Sequence, residues 1–321
     1  MKNKKIIITG SSGFIGFHVT KLLLENNYII MGIDNHNNYY DPKLKIKRNN
    51  ILKKYKNFKF VKLDIKEKNK TEKVFKKFNP DIIIHLAAQA GVRYSFVNPR
   101  KYIDSNIIGF TNIFEIMKKM SLKKIIYASS SSVYGDCKKF PFHENLELNP
   151  LNFYGQTKLM NENISKIYEK NFNIKAVGLR FFTVYGPYGR PDMFIPKIIN
   201  KIKNNKTLEL YNNGNHFRDF TYVEDVGKII LQIINKFNYN FNCRILNVCR
   251  GKEISIKKVT NIIEKKLNKK IKVINKPFQK GDMRKTHGDN TLIKKNFKIK
   301  KFQEFEAGII KTLDKSYDKK L

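Results

Sequence analysis

Tyr154 and Lys158 stand four residues apart in the string Tyr154-Gly155-Gln156-Thr157-Lys158. On a helix this spacing puts a phenol and an ammonium on one face, with Cβ atoms roughly 6 Å apart. A neighbouring ammonium favours the phenolate. The pair therefore predicts a tyrosine whose pKa falls from about 10 toward neutrality, where it can accept a proton. By itself the spacing is better read as a surface pair; the segment upstream is what points to chemistry. There, Ser129-Ser130-Ser131-Ser132-Val133-Tyr134-Gly135 closes a β-branched run. In an open parallel sheet ligands lie beyond the carboxyl ends of the strands, so a hydroxyl there can bond to the same substrate oxygen as the tyrosine.

A second motif, Thr9-Gly10-Ser11-Ser12-Gly13-Phe14-Ile15-Gly16, directly follows a strand pattern and opens a helical one. Glycines let the backbone pass close to a pyrophosphate, whose charge then rests against unpaired N–H groups at the positive end of the helix. Asp34 follows 18 residues past Gly16, at the end of the second strand. A carboxylate in that place accepts hydrogen bonds from both adenosine ribose hydroxyls. It selects NAD over NADP, because it would repel a 2′-phosphate and no arginine is expected close enough to compensate.

Groups spread this widely along the chain must be brought together by regular elements. Strand-like runs cover Lys5 to Thr9, Tyr28 to Ile33, Phe58 to Leu63, Asp81 to Leu86, Lys123 to Ser129 and Ile174 to Phe181. Helical periodicity covers Phe14 to Glu25, Thr71 to Phe78, Tyr102 to Met120 and Tyr154 to Lys170. Strand and helix alternating in this rhythm predict an α/β fold, a Rossmann-type doubly wound parallel sheet covered on both faces. Beyond about Gly186 the rhythm loosens. The expected division is a nucleotide-binding domain over 1–185 and a smaller α/β substrate lobe over 186–321, part of which can return to the first domain.

Composition sets the outer limits. The chain has 321 residues, 41% of them hydrophobic, and no run of 18 consecutive apolar residues, which excludes a membrane-spanning helix. Cys137, Cys243 and Cys249 form no CxxC pair, which argues against a zinc ribbon or a disulfide framework. The amino-terminal lysines and apolar run resemble a signal peptide, but Gly10, Gly13 and Gly16 interrupt the run, and a cytoplasmic protein is expected. A net charge of +37 would suit a polyanion partner. Lysine is instead spread through nearly every segment, as a solvated coat would be, so neither a nucleic acid nor a membrane is the expected partner. Against 64 basic residues only nine are arginine, at 48, 93, 100, 180, 190, 218, 244, 250 and 284. Each marks a place where a planar fork matters.

Together the glycine motif, the strand-end serines and YxxxK resemble the extended short-chain dehydrogenase/reductase family of nucleotide-sugar enzymes, over essentially the whole chain. The resemblance implies a tightly held NAD, with Tyr154 as base, Lys158 tuning it and holding the nicotinamide ribose, and Ser130 as hydroxyl partner. It further implies cofactor contacts from Gly10, Ser12, Gly13, Phe14, Ile15, Gly16, Asp34, Asn35, Asp64, Ile65, Ala87, Ala88, Gln89 and Asn106. Dehydratases and decarboxylases of the family resemble one another in an acidic residue before Val-Tyr-Gly. Ser131 and Ser132 stand there in this chain, which implies epimerisation. The family's homodimers imply pairing through the helices at Tyr102 to Met120 and Tyr154 to Lys170.

Two strings, Ala87 to Ser95 and Arg180 to Met193, are similar to those of the family's UDP-glucuronate 4-epimerases. That likeness implies a UDP-sugar substrate, UDP-glucuronate, with Arg190 and Thr183 on its carboxylate and Ser131 or Ser132 assisting. Arg190 could instead pair with Asp192, and Arg93 could either position substrate or cap its loop. Arg218 and Arg284 sit where the family contacts diphosphate and ribose. Gly155-Gln156 departs from the two small residues more usual after the tyrosine, and Tyr-Gly-x-x-Lys also occurs in UDP-glucose 4-epimerases. UDP-glucose epimerisation, UDP-glucuronate decarboxylation and an RNA-binding role on the same scaffold are the alternatives. His85 is expected as a satisfied core histidine, His216 and His287 lack metal-ligand spacing, no metal is expected, and Phe181 and Phe182 should pack under the cleft.

Overall fold

A computed structural model describes residues 4–237, 244–278, 281–297, 299 and 301–315. Cys243 lies outside the described residues. The first half alternates as the sequence predicts: β1 (Lys5–Thr9), α1 (Phe14–Glu25), β2 (Ile29–Asp34), α2 (Pro42–Leu52), β3 (Phe58–Lys62), α3 (Lys68–Phe78), β4 (Ile82–His85), the short α4 (Tyr94–Val97) and α5 (Pro99–Tyr102), α6 (Gly109–Lys119), β5 (Lys124–Ser130), α7 (Phe153–Phe172) and β6 (Lys175–Phe181). The second half adds β7 (Thr183–Tyr185), α8 (Phe194–Lys203), β8 (Leu208–Tyr211), β9 (Phe217–Tyr222), α9 (Val223–Lys236), β10 (Ile245–Val248), β11 (Glu253–Ser255), α10 (Ile256–Leu267), β12 (Val273–Lys276), α11 (Thr291–Phe297) and α12 (Phe305–Lys315).

Seven parallel strands form the main sheet in the order β10-β6-β5-β4-β1-β2-β3, a Rossmann-type α/β architecture. Its central strands are isoleucine runs because both faces are covered, and a parallel sheet buried on both sides cannot alternate polar with apolar. On one face, Phe17, Val19 and Leu23 of α1 join Ile229, Ile230 and Ile233 of α9; on the other, Phe75 of α3 joins Phe110, Phe114 and Met117 of α6. Each such side chain contributes about 1.5–3 kcal/mol on burial. A three-stranded sheet, β11-β9-β7, and a two-stranded one, β12-β8, belong to the second lobe, whose core gathers Ile198, Ile202, Phe220, Val259 and Ile263.

Two elements differ from the sequence reading. The helix expected over 102–120 is broken: Ile103–Ile108 forms a π-helix between α5 and α6. A π-turn shifts the register of the residues around it and is frequent beside functional sites. Helix α2 was not anticipated. Asp41 caps it by accepting from Lys43 N–H at 2.9 Å, and Pro42 occupies its first turn. Strand order reverses between β1 and β4, which opens a crevice at their carboxyl ends. No helix among the described residues is long and apolar enough to cross a membrane.

Candidate active site

A cavity of about 400 Å³ runs along those carboxyl ends and under the second lobe. At one end it is floored by the glycine turn. Gly10 has φ +73°, and a Cβ there would lie 2.7 Å from the amide nitrogen of Ala87; one on Gly16 would lie 2.0 Å from the Gly10 carbonyl oxygen. No side chain caps the amino terminus of α1 at Gly13, so its N–H groups face the cavity uncompensated. Asp34 closes β2, taking hydrogen bonds from Ser12 N–H at 3.2 Å and His36 N–H at 2.9 Å. Asn35 donates to Asp64 at 3.0 Å. Gly10, Gly13, Phe14, Ile15, Gly16, Asp34, Asn35, Asp64, Ile65, Ala87, Ala88 and Gln89 all line the cavity.

One expectation about this end is corrected. An arginine does lie near Asp34: the fully buried Arg48 of α2 donates to Ser12 O at 3.0 Å, Tyr40 Oη at 2.8 Å and Tyr188 O at 2.5 Å. The sequence hid it because α2 was not foreseen. Its Nη atoms are committed to those partners. Ser12 and Asn106 stand outside the lining. Asn106, in the π-helix, instead clamps the loop behind it, accepting from Gln89 N–H at 2.8 Å and donating to Gln89 O at 3.1 Å and Thr157 Oγ1 at 3.0 Å.

At the middle of the cavity the side chain of Asn152 caps α7, accepting from Gly155 N–H at 2.8 Å, which fixes the helical phase of Tyr154 and Lys158. Tyr154 and Ser130 line the cavity together, with the serine hydroxyl near enough to act on the phenol. Ser130 Oγ donates to Ser132 Oγ and accepts from Ser132 N–H, both at 3.1 Å. Lys158 Nζ donates to Ala128 O at 2.9 Å, and burial pushes its pKa down to about 8. The expected direction for Tyr154 is reversed. Burial raises the phenol above its ordinary value, and the nearby Ser130 hydroxyl and the charge of Arg190 offset part of the rise. The spacing argument missed desolvation, which opposes the charged form of any enclosed acid.

Cationic groups complete the lining. Arg190, Thr183, Ser131 and Ser132 all line the cavity. Arg190 donates through Nε and Nη2 to Asp192 at 3.0 and 2.6 Å, so the pairing held open in the sequence is present, with Arg190 on the lining and Asp192 outside it. Tyr39 Oη also donates to Asp192, at 3.1 Å. Arg218 lines the cavity from β9 and donates to Asp282 at 2.8 Å. Arg93 and Arg284 do not line it. The Arg93 guanidinium lies over the Tyr211 ring and 3.8 Å from Asp282, and that of Arg284 lies over Phe278. Phe181 and Phe182 line the cavity between the lobes. His85 is buried and bonded through Nδ1 to Thr9 Oγ1 at 2.7 Å.

Comparison with known proteins agrees with this geometry. The NAD dependent epimerase/dehydratase family model matches residues 6–249. This chain belongs to that family. It is 46% identical over 312 residues to an uncharacterized protein of Methanocaldococcus jannaschii, covering 96% of this chain and 95% of that one. It is 38% identical over 310 residues to the UDP-glucuronate 4-epimerase of Thermodesulfobacterium geofontis, covering 96% and 94%. The crystal structure of UDP-glucuronic acid 4-epimerase from Bacillus cereus, in complex with UDP-glucuronic acid and NAD, superposes with a TM-score of 0.91 at 30% identity, over 97% of this chain and 98% of that one.

As a member of the NAD dependent epimerase/dehydratase family, the chain must accommodate a dinucleotide, and the residues present fit one. The glycine cradle admits no Cβ, the α1 N–H groups are open to an anion, and Asp34 faces the cavity. Sequence reasoning passed over Tyr39, Tyr40, Lys45, Asn152 and Met193, which also line the cavity. The only signal for the first three was a Tyr-Tyr-Asp-Pro string ahead of an unpredicted helix.

Proposed function

We propose that this chain catalyses NAD-dependent 4-epimerisation of a UDP-sugar, with UDP-glucuronate and UDP-galacturonate as the interconverted pair. The observation that carries the reading is that Tyr154, Ser130 and Lys158 line one cavity together with the glycine cradle, Asp34 and Arg190. NAD, when bound, supplies a hydride acceptor that later returns the hydride. Tyr154 takes the proton of the sugar 4-hydroxyl as the hydride leaves C4, and gives it back after the 4-keto sugar has turned over. Ser130 donates a hydrogen bond to the same oxygen. Lys158 holds the nicotinamide ribose and keeps positive charge near the developing phenolate.

Arg190, Thr183, Ser131 and Ser132 are proposed to hold the sugar carboxylate. A 4-keto uronic acid is a β-keto acid, and it loses carbon dioxide when its carboxylate twists out of the carbonyl plane. A planar guanidinium resists that twist. Arg218, with Arg284 and Arg93 behind it, is proposed to serve the diphosphate and nucleotide. With Ser131 and Ser132 in place of an acid before Val133, the chain lacks at that point the carboxylate that would assist decarboxylation or elimination. We place the boundary of the two domains near Gly186, the protein in the cytoplasm, and two copies side by side through α7 and the π-helix, where Met160, Ile167 and Ile108 are exposed. Incubation with UDP-glucuronate should yield UDP-galacturonate with no net oxidation. A UDP-pentose would move the chain to the decarboxylases, and turnover of UDP-glucose alone to the neutral-sugar epimerases.

A further inference from the structure

Arg180 is an arginine that the sugar site does not use. It lies on β6 opposite Ser129 of β5, and its Nε and Nη2 donate to the two oxygens of Glu162 at 2.9 and 2.8 Å. The pair is sealed from water, with side chains 3% and 0% exposed. Glu162 lies one helical turn beyond Lys158 on α7 and accepts from Ser129 Oγ at 2.5 Å. A single carboxylate thus ties the helix of Tyr154 and Lys158 to the strand that ends in Ser130. Buried ion pairs are poor sources of stability, since desolvation offsets most of their attraction, so the pair calls for another reason to be there.

Building on the epimerase reading, we propose that Glu162 is a positioning residue of the active site: it fixes the seat of Lys158 against Ser130 and supplies the negative charge that keeps the lysine an ammonium. The surrounding charges support this. Lys158 faces His85 of β4, whose burial keeps it neutral, and Tyr154 one turn back, which has Tyr102 of α5 and Arg190 beside it. Glu162 faces Tyr127 of β5 and Arg180, and Arg180 in turn donates to Tyr134 Oη and the Glu144 carbonyl, near the Glu144 carboxylate. The other acids on neighbouring turns are engaged elsewhere: Asp104 by Arg100, Glu115 by Tyr168, Glu169 by Arg244. Burial lowers the Lys158 pKa, and Glu162 opposes the fall.

The sign follows directly. Removing the carboxylate charge favours the neutral amine, so Lys158 loses its proton at lower pH and the alkaline limb of activity moves down with it. The test is competitive acetic anhydride labelling of Lys158 across pH, read by peptide mass spectrometry, alongside the pH profile of kcat/KM. Glu162→Gln should move both midpoints down by about one unit. The double variant Glu162→Met/Arg180→Met removes the buried charges together and should keep the shift while recovering melting temperature. Unmoved midpoints in either folded variant would overturn the proposal, as would failure of both variants to fold, which would make the pair purely structural. Labelling needs no sugar substrate. A wild-type chain inactive on every UDP-sugar would sink the epimerase reading and leave this result standing.

Discussion

The guanidinium of Arg190, which lines the same cavity as Tyr154, meets the carboxylate of Asp192 in two parallel hydrogen bonds. The contact uses Nε and one edge of Nη2 and leaves the N–H groups of Nη1 available. Asp192 therefore sets the plane in which the fork is presented. Arg190→Ala should lower kcat/KM for UDP-glucuronate by about 100-fold, the worth of two charged hydrogen bonds, with far less effect on UDP-glucose. Asp192→Asn should cost roughly tenfold on the uronate alone, mainly through KM. Steady-state kinetics on both sugars check this, and equal losses on the two would discard the carboxylate clamp.

Tyr154→Phe keeps the ring in its place against Tyr102 and removes only the hydroxyl. Turnover should fall by about 10²- to 10⁴-fold, with the melting temperature unchanged. Near-normal turnover would exclude the phenol as base.

A side chain at Gly16 has nowhere to go, because the Gly10 carbonyl is backbone and cannot swing aside. Gly16→Val should abolish NAD binding and lower the melting temperature by several degrees. Calorimetric titration and a thermal scan measure both. A variant that binds NAD as the wild type does would show that the turn does not form the cradle.

His85 makes a pH prediction about stability rather than rate. Burial depresses its folded pKa to about 3, while in the unfolded chain it titrates near 6.5. Between those values the unfolded chain binds a proton that the folded chain does not, so this group costs stability as pH falls below about 6.5. From pH 6.5 to 4.5 the loss should be roughly 2 kcal/mol greater in the wild type than in His85→Gln. Urea unfolding at the two pH values measures the difference, and parallel losses would refute it.

Met160 and Ile167 lie seven residues apart on α7, on one exposed stripe. If a second copy covers that stripe, Ile167→Glu should give a monomer by analytical ultracentrifugation where the wild type sediments as a dimer. A monomeric wild type would refute the pairing.

Much of this was legible in the chain because isoleucine runs alternating with helical periods allow few architectures. The glycine turn, Asp34, the serines and YxxxK all fall at strand ends or helix starts, where pattern alone can place them. What the sequence did not reveal was mostly the product of three-dimensional enclosure. Helix α2 has scattered charge rather than an apolar stripe, so Arg48 and Lys45 went unplaced. The pKa of Tyr154 depends on burial, which spacing cannot report. Asn106 has a polar side chain suited to a ligand, and only the π-turn shows that its partners are the Gln89 backbone and Thr157.

Strand β10, which pairs with β6 at the edge of the large sheet, comes from residues 245–248, after β7, β8 and β9 have already formed part of the other lobe. During synthesis the nucleotide-binding sheet therefore waits for its last member until about three quarters of the polypeptide has been made. A fragment cut at Tyr185 would leave β6 with a row of unpaired peptide groups along an apolar strand, ready to associate with other fragments. The chain thus crosses between the sheets before the large one is complete, and a cut at Tyr185 does not release a finished module.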